Sequence, residues 1–149
     1  MAYTSKLPDQ PSALIRAALA DLQKCIDDPI YKIDMKTWHK PVDNGKHCSV
    51  CLAGSVLAQT FKVPPSESIP AIRHFVDCNE LDKLEALDYF RTGNIFDGLI
   101  LLGRDTQGVI ALDEINQLNG SISEFDEHSP EEFFHNIKSI ANAFERCGY

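Results

Sequence analysis

The sequence lacks the long apolar segments that mark membrane proteins. Its longest apolar stretch, residues 98–103 (GLILLG), is far shorter than the roughly 20 apolar residues that cross a bilayer. The N-terminal residues MAYTSKLPDQPS contain one lysine and no apolar segment, so no signal peptide is expected. Both absences favour a cytoplasmic protein without a membrane partner.

The sequence also lacks an even set of cysteines. A disulfide framework normally uses an even number in a loop-rich chain, whereas this chain has five cysteines, three of them in or near segments of helical pattern. We therefore expect free thiols and a reducing compartment. The cysteines are Cys25, Cys48, Cys51, Cys78 and Cys147.

The motifs of several common enzyme classes are missing. The chain has no G-x-x-x-x-G-K-[ST] phosphate loop and no H-E-x-x-H zinc motif. Acidic residues are numerous, but no pair is marked by its neighbours as a buried acid–base couple. The sequence therefore predicts a protein that is not an enzyme and that needs no cofactor or metal.

Lysine and arginine are absent from one long segment. The 149 residues include 14 basic and 22 acidic side chains, for a net charge of −8. Residues 1–104 are nearly balanced, with 12 basic and 13 acidic side chains, whereas residues 105–137 contain eight acidic side chains and no lysine or arginine. Phosphate binding needs clustered lysine and arginine, so direct binding to nucleic acid is disfavoured.

This acidic segment has two interpretations. An acidic surface keeps many proteins soluble without further function. The segment nevertheless carries more charge of one sign than solubility requires. The attraction between opposite charges would speed its encounter with a basic surface. We expect it to bind a basic protein partner through seven residues: Asp113, Glu114, Glu124, Asp126, Glu127, Glu131 and Glu132.

Hydrophobic periodicity predicts an all-α fold, with about six helices around one core and at most one short β-hairpin. We expect one domain over residues 1–149, with residues 1–10 as a candidate flexible segment. The capping sequence Ser129-Pro130-Glu131-Glu132 marks the start of the last helix. The predicted helices cover residues 12–26, 47–61, 80–91, 94–102, 113–118 and 130–146, and Ser68 is a candidate cap for a further short helix that runs through residue 76.

The region between the first two predicted helices has a different pattern. Residues 31–41 alternate in polarity and predict a short extended segment, and residues 43–46 (DNGK) predict a turn. In the following helix Gly54 is unfavourable by about 1 kcal/mol relative to alanine, so we expect it to permit close approach of another backbone.

The most specific local motif is Cys48-x-x-Cys51. Two thiols at this spacing can share a zinc ion, with His39, His47 or the His74 and Cys78 pair as further ligands, although only one ligand pair of the usual type is present. A thiol nucleophile is a second alternative. Cys48 at a helix start, with His128 or His135 and Asn136 as base and orienting group, would suit it. Two buried thiols are the favoured interpretation.

Two further features have structural interpretations. The chain lacks the βαβ pattern in which a thioredoxin-like Cys-x-x-Cys occurs, so redox activity is disfavoured. Trp38 and His39 form the only Trp–His pair, and we expect them to anchor a loop against the core rather than to line a pocket.

Two segments, residues 34–39 (DMKTWH) and residues 48–56 (CSVCLAGSV), resemble a pattern in small, uncharacterised proteins of tailed bacteriophages. The start of the chain, Leu7-Pro8 and residues 14–22, is similar as well. The resemblance covers about a third of the chain and implies a phage or prophage origin, hence the cytoplasm of an infected bacterium. It carries no catalytic residues.

Together these observations predict a non-enzymatic acidic protein that binds and inhibits or redirects a host protein, one involved in defence or in handling nucleic acids. The alternative is a metal-binding or thiol-dependent domain centred on Cys48 and Cys51.

Overall fold

The computed structural model describes residues 5–68, 76–110, 112–118 and 130–149. Within these ranges the fold has seven helices and one small sheet, and it is 59% helical. The helices are α1 (Pro11–Ile26), α2 (Leu52–Gln59), α3 (Cys78–Arg91), α4 (Ile95–Leu101), α5 (Gln107–Ile110), α6 (Asp113–Leu118) and α7 (Pro130–Arg146). The strands are β1 (Tyr31–Ile33), β2 (His39–Val42) and β3 (His47–Val50). The all-α prediction therefore holds for the helical majority, but the fold is mixed.

The sheet contradicts the prediction of a helix beginning at His47. The strand order is β1-β3-β2, with β1 parallel and β2 antiparallel to β3. Strands β2 and β3 form the expected hairpin, joined by a turn in which Asn44 and Gly45 have φ values of 58° and 83°. Since β3 is central and has hydrogen-bonding partners on both sides, pairing outweighs the local helical pattern of residues 47–50.

The backbone of α2 lies in direct contact with the backbone of the segment before β2. A Cβ atom added to Gly54 would lie 1.4 Å from the carbonyl oxygen of Trp38. The amide of Cys51 donates a hydrogen bond of 3.4 Å to the same oxygen. The prediction that Gly54 permits close approach of another backbone is confirmed.

The core lies around α1, which packs against α2 and α7, while α3 packs against α2 and α4. The predicted apolar stripe of α7 is almost completely buried. Phe144 of this stripe meets Phe90 of α3 edge to face, with ring centroids 5.3 Å apart. The members of the stripe are Phe133, Ile137, Ile140 and Phe144.

The N-terminal segment is held by a buried ion pair on α3. Glu80 accepts a 2.7 Å hydrogen bond from the amide of Leu7, and Lys83 donates one of 2.9 Å to the carbonyl oxygen of the same residue. Lys83 also contacts Glu80 at 3.2 Å and Asp9 at 2.8 Å. The described part of the candidate flexible segment is therefore attached to the core, because Leu7 is also buried.

Candidate functional site

Helix α7 begins at Pro130, as its capping sequence predicts, although Ser129 lies outside the described residues. Glu131 and Glu132 occupy its first turn and are exposed. Carboxylates in this position interact favourably with the partial positive charge of the helix N-terminus. The sequence therefore places these two acids at the surface for a local reason, which also leaves them accessible to another molecule.

Asp113 belongs to α6, which packs against α7. It is the exposed first residue of α6, and its neighbour Leu112 lines a cavity of about 430 Å³ with Ser139 and Arg146 of α7. Ser139 lies eight residues beyond Glu131, which is about 12 Å along a helix. The structure thus brings Glu131 and Glu132 together and places Asp113 closer to the C-terminal half of α7.

The remaining predicted acids are not described at the level of their side chains. Glu124, Asp126 and Glu127 lie outside the described residues. Glu114 belongs to α6, but its side chain also lies outside the description.

Two of the described acids are not neutralised by nearby cations. The ion pairs in the described ranges join Lys83 to Asp9 and Glu80, and otherwise connect Arg16 to Glu145, His47 to Asp43, and Arg91 to Asp88. Neither Asp113 nor Glu131 takes part in any of them. Both carboxylates are therefore available to cations of a second molecule.

A groove between α1 and α7 adjoins Glu131. Two cavities of about 550 and 320 Å³ lie along it and share Gln23, Phe134 and Lys138. Leu19 and Ile26 add apolar lining. The sequence indicated Phe134 only as a neighbour of the core stripe, because periodicity does not distinguish a groove floor from the edge of a core.

Arg16 closes one end of this groove. Its guanidinium Nη2 donates hydrogen bonds of 2.9 Å to the Asn142 side chain and 2.5 Å to the Glu145 carboxylate. Arg16, in the first half of α1, thus contacts the end of α7, whereas Ile26 at the end of α1 shares a cavity with Glu131 at the start of α7, so the two helices run antiparallel.

The two thiols of the Cys-x-x-Cys motif are enclosed in the fold and are not exposed as a reactive site would require. Cys48 is in β3, not at a helix start as the nucleophile hypothesis required, and Cys51 is the N-cap of α2, where its Sγ accepts a 3.5 Å hydrogen bond from the Gly54 amide. Both are completely buried, and burial raises the pKa of each thiol to about 11. At neutral pH they are protonated, which opposes nucleophilic reaction.

The other groups proposed for that motif do not form a ligand set in the described ranges, where no cluster of three His, Cys, Asp or Glu side chains could hold a metal ion. His39 is buried, and its Nδ1 lies 2.8 Å from the carbonyl oxygen of Glu67. His135 and Cys78 are exposed, whereas His74 and His128 lie outside the described residues.

The Trp–His pair anchors a loop, as expected. His39 is 1% exposed, and its Nδ1 contact links β2 to the segment after α2. Trp38 is half-buried and packs against the main core.

Comparison with protein-family models, curated proteins and solved structures found no match. Among the described helices, none combines the length and the apolar character needed to cross a membrane.

Proposed function

We propose that this chain is a non-enzymatic, phage-type protein that binds a host protein through its acidic C-terminal third and thereby inhibits or redirects it. The observation that carries the proposal is that two carboxylates of this third, those of Asp113 and Glu131, are both exposed and have no ion-pair partner in the described residues. They belong to a segment of 33 residues that contains no lysine or arginine.

The charge of this segment specifies the partner. Unpaired carboxylates attract a lysine- or arginine-rich surface, and the attraction raises the association rate and selects against acidic partners. A basic surface is typical of proteins that handle nucleic acids. We therefore propose a host protein of that kind, including one that acts in defence, and the cytoplasm of the infected bacterium as the location.

The surroundings of the thiols support a binding role over catalysis. Cys48 and Cys51 are buried and protonated at neutral pH, and Cys51 is occupied as a helix cap. A thiol-dependent activity would need one of them to be accessible as a thiolate.

The test is capture from a bacterial lysate with the immobilised full-length protein, at low and high salt, followed by mass spectrometry. The acid-reversal variant is Asp113→Lys with Glu132→Lys, in which Glu132 is changed in place of its exposed neighbour Glu131 because Glu131 also lines the groove between α1 and α7. The matched control, Asp82→Lys with Asp97→Lys, makes the same change in net charge at exposed residues of α3 and α4. We expect a basic host protein that is captured at low salt, released at high salt, lost by the acid-reversal variant and retained by the control.

Three outcomes would contradict the proposal. One is that no protein is captured. The second is a partner whose capture does not depend on salt, since an electrostatic contact between exposed charges is screened. The third is equal loss of the partner by both variants, because the effect would then follow net charge and not the acidic third.

A further inference from the structure

The exposed face of α7 beside the groove carries two charges that cannot pair with each other. Glu131 and Lys138 both line the groove, seven residues apart. Seven residues correspond to about 10.5 Å along a helix, whereas ion pairs within a helix join residues three or four apart. Neither side chain forms an ion pair within the described residues.

An apolar strip lies between these charges. Phe134 is half-buried between Glu131 and Lys138 on the same face, and it lines both cavities of the groove. On the opposite wall Ala20 is exposed, and its small side chain leaves room for another molecule. This face thus has an apolar centre with a carboxylate on one side and an ammonium group on the other.

Such an arrangement is complementary to itself. If a second copy packs against it about a two-fold axis near Phe134, the two α7 helices run antiparallel. Residues that face each other then lie equally far from the axis in opposite directions along the helix. Glu131 of each copy therefore faces Lys138 of the other. A two-fold interface repeats every contact twice, so both unpaired charges of both copies are satisfied at once.

We propose that the groove between α1 and α7 is a self-association site whose occupant is a second copy of this chain. The apolar centre contributes through burial of Phe134 and Ala20, and the two Glu131–Lys138 contacts set the antiparallel register. The net charge of −8 on each copy opposes association at long range. The dimer should therefore be measured at physiological ionic strength, where the screening length is about 8 Å.

The decisive experiment is a charge exchange in the full-length protein, followed by sedimentation velocity over a range of concentrations. We expect the wild type to dimerise. Glu131→Lys alone and Lys138→Glu alone each place like charges at both symmetric contacts, and each should raise the dissociation constant by about tenfold or more, which corresponds to about 1.4 kcal/mol. The double variant exchanges the charges, keeps the wild-type net charge and should restore dimerisation.

One further variant tests the apolar centre, and a second is the charge control for Lys138→Glu. Ala20→Arg introduces a long side chain into the groove at an exposed helical position, so the fold should be retained, as circular dichroism can verify, while the dimer is lost. Lys46→Glu makes the same change in charge as Lys138→Glu at an exposed residue before β3, and it should leave the dimer intact.

Each contrary result rejects the proposal. A wild type that stays monomeric up to its solubility limit excludes the site. A dimer that is unaffected by either single reversal, or by Ala20→Arg, uses another face. Single variants that dissociate while the double variant does not recover exclude the antiparallel register. Glu131 belongs to both surfaces, so a dimer would compete with the host protein for this residue. The variants that decide each proposal differ, because Lys138 is not part of the acidic surface and Asp113 and Glu132 are not among the residues that line the groove, so the two proposals can fail separately.

Discussion

Glu80 and Glu131 lie in the first turns of two helices, α3 and α7, yet their surroundings are opposite. Glu80 is 7% exposed, and its carboxylate accepts hydrogen bonds from the Leu7 amide and from Lys83. Glu131 is exposed and has no ion-pair partner among the described residues. One carboxylate stabilises the fold, and the other is available to a second molecule.

The difference extends to the regions around them. In the first two-thirds of the chain, several polar and sulfur-containing side chains are buried, among them those of Cys48, Cys51 and His39. In the acidic third, the described carboxylates are at the surface. The chemically reactive side chains that are buried have structural roles, whereas the exposed carboxylates are the groups that a second molecule can reach, as the proposed function requires.

The sharpest way to probe the closely packed region is Gly54→Ala. The new Cβ would overlap the Trp38 carbonyl oxygen, which is backbone and cannot rotate away. We expect the free energy of unfolding to fall by about 4 kcal/mol or more, measured by chemical denaturation. A fall below about 1 kcal/mol would show that α2 and the sheet can separate easily, and the contrast between the two regions would not hold.

Gly108→Ala is the matched substitution next to the acidic helices. Gly108 is exposed in α5, and the nearest atom to its added Cβ is the Tyr149 hydroxyl oxygen at 3.9 Å. Alanine is favoured over glycine within helices, so we expect unchanged stability or a gain of about 0.5 kcal/mol. A large loss in this variant would show that close packing also extends to α5.

Replacing each glutamate by glutamine tests the comparison directly. Leu7 N–H and the Lys83 ammonium group both donate to Glu80, whereas a glutamine offers one acceptor oxygen and one amide that is itself a donor. One donor therefore loses its acceptor, and we expect Glu80→Gln to lower the free energy of unfolding by about 3 kcal/mol.

Glu131→Gln should leave the stability of the monomer unchanged, because its side chain is exposed and has no ion-pair partner among the described residues. Both variants should be measured by urea denaturation at a concentration where the protein is monomeric. If Glu80→Gln changed the free energy of unfolding as little as Glu131→Gln, the buried pair of Glu80 and Lys83 would not be a stabilising contact.

The sequence predicts those features that depend on neighbours along the chain. The buried stripe of α7, the turn at residues 43–46 and the role of Gly54 all follow from local spacing or from the backbone freedom of one residue type. The exposure of Asp113 and Glu131 is likewise expected for acids at helix starts.

Features set by distant contacts were not predictable. The sequence gives no sign that Glu80 is buried, because its hydrogen bond to Leu7 joins residues 73 positions apart. Residues 47–50 have a helical pattern, but strands on both sides hold them as β3. The groove between α1 and α7 arises from helices at opposite ends of the chain. Whether the acids of residues 119–129 join Glu131 in one surface lies outside the described residues.

His39 should make the stability of the fold depend on pH. Burial lowers the pKa of its imidazole below the ordinary 6.5, so the folded protein resists a proton that the unfolded chain accepts. Between these two pKa values the unfolded state binds more protons, and stability therefore falls as the pH drops below about 6.5. The measurement is the denaturation midpoint from pH 7 to pH 5.

His39→Asn isolates this contribution, because an asparagine amide can still donate to the Glu67 carbonyl oxygen while it takes up no proton. The variant should show a shallower loss of stability with falling pH than the wild type, whatever its stability at pH 7. The matched control is His135→Asn, at an exposed position of α7, which should retain the wild-type slope. If His135→Asn, and not His39→Asn, makes the loss of stability with falling pH shallower, the acid-sensitive group lies on α7. Buried His39 would then not be the group that links stability to pH.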